Sequence, residues 1–214
     1  MKIDVHTGGY FQTNGYLITH PGGRLLIDAP EGVADWLESL GLAPDGLLLT
    51  HLHYDHVIDA AAVRERFGCP IWAHSPPDAN LTLETLLKET IGWPFELDPF
   101  SVDRVLAGER EIHLAGLIIP LDHVPGHSPD SLCYRPRPAD SADELPVPLL
   151  FGGDVLFRGG IGRTDFPHGN HGLLLEGIRE KLFRLPDATR VFPGHGPETT
   201  IGRERASNPF LQEF

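Results

Sequence analysis

Residues 51–56 read HLHYDH, and they directly follow the apolar run GLLLT at residues 46–50. We interpret GLLLT as a buried strand, because short continuous apolar runs are typical of strands covered on both faces. The hexapeptide brings imidazole and carboxylate groups to the end of that strand, in His51, His53, Asp55 and His56. Burying such groups costs free energy unless they are paired or coordinated. The stretch therefore indicates a metal-binding loop at a strand end.

Polar clusters follow three other predicted strands in the same way. IIPLDH (118–123) runs into VPGHSPDS (124–131), PLLFGG (148–153) into DVLFRGGIGRTDF (154–166), and RVF (190–192) into PGHGP (193–197). Histidine and carboxylate donors suit zinc, iron or manganese, and this mixture does not suit a cysteine-based structural zinc site. Glycines around His127, Asp154 and His195 allow tight loops that turn donors inward. Four such strand ends predict a multinuclear metal site.

The composition limits the class of protein. The chain has 214 residues, of which 41% are hydrophobic, so we expect one domain over residues 1–214. Its formal charge of −13 argues against nucleic acid or an anionic membrane as a partner. The two cysteines, Cys69 and Cys133, are far apart and are expected to be buried free thiols. No segment has the pattern of a secretion signal or a membrane span, and we expect a cytoplasmic protein.

Hydrophobic periodicity predicts strands that alternate with helices. Strands are predicted at 15–20, 24–30, 46–50, 70–74, 111–124 with a turn at Gly116, 131–135, 147–153 and 189–192. Helices are predicted at 33–40, 57–67, 78–92 and 172–185. Residues 93–102 and 136–146 are predicted to be loops. This order, without a GxGxxG motif after the first strand, favours packed sheets with helices outside over a Rossmann fold.

The four polar clusters also carry a family resemblance. The segments THLHYDH (50–56), VPGHSPDS (124–131), GGDVLFRGGIGRTDFPHG (152–169) and FPGHGPETTIGRERASNPFL (192–211) resemble the metallo-β-lactamase superfamily. More narrowly, they resemble its single-domain glyoxalase II-like hydrolases, of the hydroxyacylglutathione hydrolase type. The resemblance covers nearly the whole chain. It implies an α+β fold, a four-layer αββα sandwich.

The resemblance implies a complete set of ligands for two divalent metal ions, zinc above all, with iron or manganese as alternatives. One metal would take His51, His53 and His127, the other would take Asp55, His56 and His195, and Asp154 would bridge them. Asp55 and Asp154 would thus serve catalysis directly. Asp28, at the end of RLLIDAP (24–30), resembles the family's strand-end aspartate and is expected to support the ligand loop.

The activity implied by the resemblance is hydrolysis of a glutathione thioester such as S-D-lactoylglutathione, by attack of a metal-bound hydroxide. The expected partner is that small thioester, and the oligomeric state is left open. Arg163 stands where relatives place a basic substrate-binding residue and would hold a carboxylate of glutathione. The alternative for Arg163 is a structural pairing with Asp165 or with a loop carbonyl.

Some features depart from the family pattern or fit another member of it. Ile58, Asp59 and Asp130 stand where relatives commonly carry glycine. The sequence ends at Phe214, and we therefore expect no helical domain of the kind found in two-domain glyoxalase II enzymes. The stretch GRTDF (162–166) also resembles persulfide dioxygenases, which are iron oxidoreductases of the same superfamily. An iron-dependent persulfide dioxygenase and a non-enzymatic metal- or ligand-binding protein are therefore the alternatives.

Overall fold

The computed structural model describes residues 1–92, 96–139 and 147–212, which fall into two compact units, Met1–Ala107 and Gly108–Phe214. Each unit contains a sheet and helices that pack on it. The prediction of a single domain over residues 1–214 stays a prediction. Among the helices of the described ranges, none is both long and apolar enough to span a bilayer.

The first unit is built on one mixed sheet. Its strands are β1 (Lys2–Gly8), β2 (Thr13–His20), β3 (Gly23–Ile27), β4 (Gly46–Leu48), β5 (Ile71–Ala73) and β6 (Arg104–Val105). They lie in chain order across the sheet, antiparallel from β1 to β3 and parallel from β3 to β6. The strands predicted at 15–20 and 24–30 are confirmed as β2 and β3, which form an antiparallel hairpin, whereas β1 was not predicted. The parallel arrangement brings the carboxyl ends of β3 and β4 to the same edge, where Asp28 and HLHYDH follow.

The helices of this unit differ in part from the prediction. They are α1 (Val33–Leu40), α2 (Tyr54–Val57), α3 (Ala60–Phe67), α4 (Ala79–Thr82) and α5 (Glu84–Ile91). α1 is confirmed, and Gly41 ends it in the left-handed conformation, φ 65°. The single helix predicted at 57–67 is wrong in its start, because the helical turn already begins at Tyr54 and is interrupted before Ala60. The helix predicted at 78–92 is divided by Leu83, whose φ is +57°.

Apolar residues of the strands and of α1 to α3 form the core of the first unit. Its fully buried members include Leu17, Leu26, Leu47, Ile71, Val33, Leu37 and Val63. Residues that alternate with these along the strands, such as Ile18 and Ile27, are buried as well. The strands are therefore covered on both faces, which explains why β4 reads as a continuous apolar run.

The second unit is built on another mixed sheet. Its strands are β7 (Glu111–Leu114), β8 (Leu117–His123), β9 (Leu132–Tyr134), β10 (Arg137–Pro138), β11 (Leu149–Gly153), β12 (Leu156–Phe157), β13 (Gly160–Ile161), β14 (Arg190–Pro193) and β15 (Thr199–Thr200). The sheet order is β10-β8-β9-β11-β14-β15, with β7 also paired to β8, while β12 and β13 form a separate hairpin. The predicted turn at Gly116 is confirmed: Ala115 and Gly116 both have positive φ, as a two-residue hairpin turn of type I′ requires.

The helices of the second unit are α6 (His171–Gly177) and α7 (Ile201–Ser207), and a π-helical segment, Ile178–Leu182, continues α6. Together α6 and the π-helical segment account for most of the helix predicted at 172–185. The predicted loop at 136–146 contains β10, and its residues 140–146 lie outside the described residues. Residues 93–95 of the other predicted loop also lie outside them, while 96–102 contain no helix or strand.

Both cysteines are buried free thiols, as predicted. Desolvation raises the pKa of the Cys69 thiol to about 11 and raises the pKa of Cys133 further still. Both thiols are therefore uncharged near neutral pH and pack as small hydrophobic groups.

Leu47→Ala tests the core that supports the HLHYDH loop. Leu47 is fully buried on β4, so its truncation should lower the free energy of unfolding by roughly 2–5 kcal/mol. Urea denaturation followed by circular dichroism measures the loss. The matched control is Leu40→Ala on α1, because Leu40 is 44% exposed and should change stability much less.

Candidate functional site

In the first unit, the HLHYDH loop gathers three imidazole rings. The ring centroid of His51 lies 4.5 Å from that of His53 and 4.1 Å from that of His56. His51 follows β4 by three residues, and Asp55 and His56 lie in the single turn of α2. The three histidines are buried. The ligand atoms that His51 offers lie within 4.8 Å of those of His53 and His56.

The buried carboxylate of Asp28 holds this loop in place. Its Oδ1 accepts the Thr50 backbone N–H at 2.7 Å, and its Oδ2 lies 2.8 Å from the Thr50 hydroxyl and 2.8 Å from Nδ1 of His56. Because a carboxylate accepts, Nδ1 of His56 carries the proton. The lone pair of that ring is therefore on Nε2, the nitrogen that would bind a metal. This contact is the one expected of a residue that supports a metal ligand.

Asp28 also fixes His51, through Thr50. The Thr50 hydroxyl lies 3.1 Å from Nδ1 of His51 and donates its single proton to Asp28. The contact with His51 must then be one in which Nδ1–H donates to Thr50 Oγ1. The lone pair of His51 is consequently on Nε2, as in His56. One carboxylate thus sets the tautomer of two predicted ligands.

Asp55 is oriented by the start of β2. The hydroxyl of Thr13 donates to Asp55 Oδ2 at 2.5 Å, and this same oxygen lies 3.6 Å from Nε2 of His56. Thr13 is buried and lies 42 residues before Asp55 in the sequence. The hydrogen bond joins the hairpin β1–β2 to the HLHYDH loop.

In the second unit, Asp154 lies between two histidines. Its Oδ2 is 3.5 Å from Nε2 of His127 and 3.3 Å from Nε2 of His195. Asp154 directly follows β11, His127 lies in the loop between β8 and β9, and His195 follows β14. The strand pairing of this sheet therefore delivers all three side chains to one place, and Asp154 has the position between two imidazoles that a bridging ligand needs.

These N–O separations test whether the donors fit a metal. Two donors that each lie ~2.0–2.1 Å from a tetrahedral ion are roughly 3.4 Å apart. The observed values are 3.3 and 3.5 Å around Asp154 and 3.6 Å between Asp55 and His56. All three are longer than the usual hydrogen-bond range of about 2.7–3.2 Å. The donor set in each unit therefore fits shared coordination better than direct hydrogen bonding.

The tautomer of His127 is fixed by a backbone carbonyl. Nδ1 of His127 donates to the carbonyl oxygen of Arg163 at 2.8 Å, which leaves the lone pair on Nε2, facing Asp154. The neighbouring residue must be glycine, because a Cβ on Gly162 would lie 1.9 Å from the Asp154 carbonyl oxygen. The stretch GIGR thus supports His127 through its main chain.

The side chain of Arg163 forms a two-pronged pair with Asp165. Its Nε and Nη2 each donate to one carboxylate oxygen at 2.7 Å, and its guanidinium carbon lies 4.0 Å from the centre of the Phe166 ring. This pair lowers the pKa of Asp165 to about 2. Arg163 and Asp165 are 58% and 67% exposed, so a pair of this kind contributes little to stability. The guanidinium remains within reach of solutes.

The residues that depart from the family pattern have local structural contacts. The Asp59 carboxylate accepts the Ala34 N–H at 3.1 Å, and desolvation raises its pKa. This contact with α1 lies at the break between α2 and α3. The Ser128 hydroxyl donates to the buried Asp130, beside His127. Ile58 lies with Asp55 at a small cleft next to Tyr54.

In both units, strands end in histidine and aspartate donors, which is the arrangement expected of a metal-binding protein. Residues 8–195 match the model of the family described as the metallo-beta-lactamase superfamily, and the chain belongs to this superfamily. The predicted fold class, the metallo-β-lactamase fold, is confirmed by this match and by solved structures.

Relatives in sequence extend over almost the whole chain. The "Hydroxyacylglutathione hydrolase GloC" of Haemophilus influenzae is 39% identical, over 99% of this chain and 98% of its own length. The "Probable metallo-hydrolase YqgX" of Bacillus subtilis is 36% identical, over 96% of this chain and 95% of its own length.

Solved structures of this superfamily are similar to the chain, and they carry several different protein names. The B3 metallo-beta-lactamase BLEG-1 has a TM-score of 0.84 and 34% identity, over 99% of this chain and 100% of its own. TTHA1623, in a di-iron-bound form, has a TM-score of 0.77 and 34% identity, over 97% and 100%. ETHE1 from Myxococcus xanthus has a TM-score of 0.73 and 27% identity, over 98% and 84%.

Sequence reasoning missed two side chains that hold the predicted ligands, Thr13 and Thr50. Thr50 directly precedes His51, and a hydroxyl before a histidine cluster was the available signal. Thr13 gives no such signal, because it is 42 residues distant from the carboxylate that it binds. The role of the Arg163 main chain was also missed.

Thr50→Val tests the hydrogen-bond chain from Asp28 to His51. The substitution keeps the shape of the side chain and removes the hydroxyl, so Zn²⁺ affinity should fall about 10–100-fold, as for lost support of metal ligands. Competition with a chromophoric chelator measures the affinity. Thr82→Val is the matched control, since its buried hydroxyl contacts the Ala79 carbonyl of α4. Equal Zn²⁺ affinity in the two variants would contradict the assigned role of Thr50.

Proposed function

We propose that this protein is a metal-dependent hydrolase of glutathione thioesters such as S-D-lactoylglutathione. The observation that carries the proposal is the 39% identity to hydroxyacylglutathione hydrolase GloC over nearly the full length of both chains. The complete set of histidine and aspartate donors supports it, because hydrolysis by a metal-bound hydroxide requires the metal ions that these donors would hold.

The proposed cofactors are two divalent metal ions, most simply zinc. Their ligands follow the family resemblance: His51, His53, Asp55, His56, His127, Asp154 and His195. When bound, two such cations supply a water that ionises near neutral pH and positive charge that stabilises an oxyanion. The protein's own contribution is orientation, since Asp28, Thr50 and the Arg163 carbonyl hold three imidazoles with the ring lone pair on Nε2.

A thioester suits the side chains of this protein. A thiol has a pKa near ~8.5, so a thiolate leaves without a proton donor placed beside it. Neither cysteine can act as a nucleophile, because both are buried and their pKa values are raised. Asp55 and Asp154 would serve as ligands. The Thr13 hydroxyl donates to the Asp55 carboxylate, and Asp154 directly follows β11.

We propose that Arg163 binds a carboxylate of the glutathione moiety. Its guanidinium presents parallel donors to Asp165 at 2.7 Å, which is the geometry that a substrate carboxylate would use. Phe166 supports the guanidinium from one face. The Asp165 carboxylate thus occupies the donors that a substrate carboxylate would take.

Iron-dependent persulfide dioxygenase activity is the second candidate. It is favoured by the GRTDF stretch at 162–166, by similarity to ETHE1 and by the di-iron-bound form of TTHA1623. We also propose a cytoplasmic location, supported by the two free cysteines, and a small-molecule thioester as the partner, with no nucleic acid or membrane.

Hydrolysis of S-D-lactoylglutathione tests the proposal. The protein loaded with Zn²⁺ should release glutathione with kcat/KM of at least ~10⁴ M⁻¹s⁻¹, and the chelator-stripped protein should be inactive until metal is restored. His53→Ala should lose metal and most activity while remaining folded. His113→Ala is the control, because His113 is exposed on β7.

The alternatives give different results in the same assay. Oxygen uptake with glutathione persulfide and Fe²⁺, together with no thioester hydrolysis, would replace the hydrolase by the dioxygenase. Metal binding without turnover on thioesters or persulfide would leave a metal-binding protein. His53→Ala with unchanged metal content would remove His53 from the ligand set.

Arg163→Ala tests the substrate contact. If the arginine binds the ground state and the transition state alike, KM should rise about tenfold with kcat unchanged. Asp165→Ala releases the guanidinium from its pair, so KM should stay the same or fall. A lower melting temperature in both variants, with KM unchanged, would show that the pair is only structural.

A further inference from the structure

Glu204 is a buried carboxylate in a part of the chain that the proposed chemistry does not use. It lies in α7, within the ERASN segment (204–208), and is 1% exposed. Its Oε1 accepts the Thr199 hydroxyl, and its Oε2 accepts the Gly159 N–H at 2.8 Å and the Asn208 side-chain N–H at 2.9 Å. A buried carboxylate is costly unless hydrogen-bonded, and here both oxygens are engaged.

The partners of Glu204 connect α7 to the β12–β13 hairpin. Gly159 is in the turn of that hairpin, 45 residues before Glu204. Asn208 adds a second link, because its side-chain N–H also lies 2.9 Å from the Gly160 carbonyl oxygen. Two side chains of one segment therefore hold the turn by its main-chain N–H and C=O groups.

The hairpin contacts His195 and is joined through the chain to Asp154 and Arg163. It begins two residues after Asp154 and ends two residues before Arg163, whose carbonyl accepts Nδ1–H of His127. The Phe157 ring of β12 lies edge-on to the His195 imidazole, with centroids 6.2 Å apart. A shift of the hairpin would therefore be expected to move His127, Asp154 and His195 together.

We propose that Glu204 and Asn208 are positioning residues that clamp the Leu156–Ile161 hairpin and so hold His127, Asp154 and His195 in the arrangement a metal needs. The inference rests on the proposed metal site. It assigns to the ERASN segment a role in metal affinity. This role is exerted through the hairpin, without any contact with metal or substrate.

Two substitutions of Glu204 separate hydrogen bonding from charge. Glu204→Ala leaves the Gly159 N–H and the Asn208 amide buried without their acceptor. Glu204→Gln retains an acceptor for both, because the amide oxygen can take the place of Oε2 while the amide N–H faces Thr199. The Thr199 hydroxyl can turn to accept it, since a hydroxyl both donates and accepts. The glutamine variant should therefore keep the hydrogen bonds to Gly159 and Asn208 that the alanine variant loses.

The experiment compares wild type, Glu204→Ala and Glu204→Gln in two measurements. Amide hydrogen exchange at Gly159 and Gly160, in the metal-free protein, should be about tenfold faster in the alanine variant. Zn²⁺ affinity, from chelator competition, should be about tenfold weaker. The glutamine variant should stay within about twofold of wild type in both. Asp187→Ala is the control, because Asp187 pairs with Arg205 on α7 without reaching the hairpin.

Normal exchange and normal Zn²⁺ affinity in folded Glu204→Ala would overturn the proposal, as would equal losses in Asp187→Ala. If the alanine variant does not fold, Glu204→Asp withdraws the carboxylate by about 1.5 Å and should show the same two changes to a lesser degree. Failure of the proposed function is separable, since it would appear as wild-type protein without thioester hydrolysis, whatever the exchange at Gly159.

Discussion

The buried carboxylate of Asp28 is the contact on which the first half of the site depends. It stands at the carboxyl end of β3 in the left-handed conformation, φ 60°, which aspartate tolerates better than most residues. Parallel pairing with β4 brings it beside Thr50, and its three hydrogen bonds join the ends of two strands to α2. Asp28 places the proton of His56 on Nδ1, and through Thr50 it does the same for His51. The lone pair of each ring is therefore on Nε2 in the metal-free protein.

In the second unit, a main-chain carbonyl and not a carboxylate fixes the tautomer of a predicted ligand, His127. The Arg163 carbonyl takes the place that Asp28 has in the first unit, and Nδ1–H of His127 donates to it. A carbonyl can hold this position only because Gly162 lets the chain approach Asp154 closely. In both units a strand ends in a donor, and an acceptor from a distant segment fixes which nitrogen carries the lone pair.

Charge shapes how such a site would meet an anionic thioester. The chain carries a net charge of −13, so its overall field repels a substrate that bears carboxylates. Two bound cations would reverse the sign locally, and the exposed Arg163, paired with Asp165, adds a cation that substrate can reach. Under the proposed function, a few positive groups near the strand ends would attract the anionic substrate, while the net charge of the chain stays negative.

The sequence by itself determined the strands that end in histidine and aspartate residues, because apolar periodicity and the spacing within HLHYDH are local properties. The fold family and the predicted ligand set followed from the resemblance of four sequence segments to the metallo-β-lactamase superfamily. Only the tertiary structure decided the break between α2 and α3, the pairing of Arg163 with Asp165, and the supporting roles of Thr13, Thr50 and Glu204. The contacts of Asp28, Thr13 and Glu204 join residues 28, 42 and 45 positions apart. No local pattern encodes such contacts, since they form only when separate strands, turns and helices have packed.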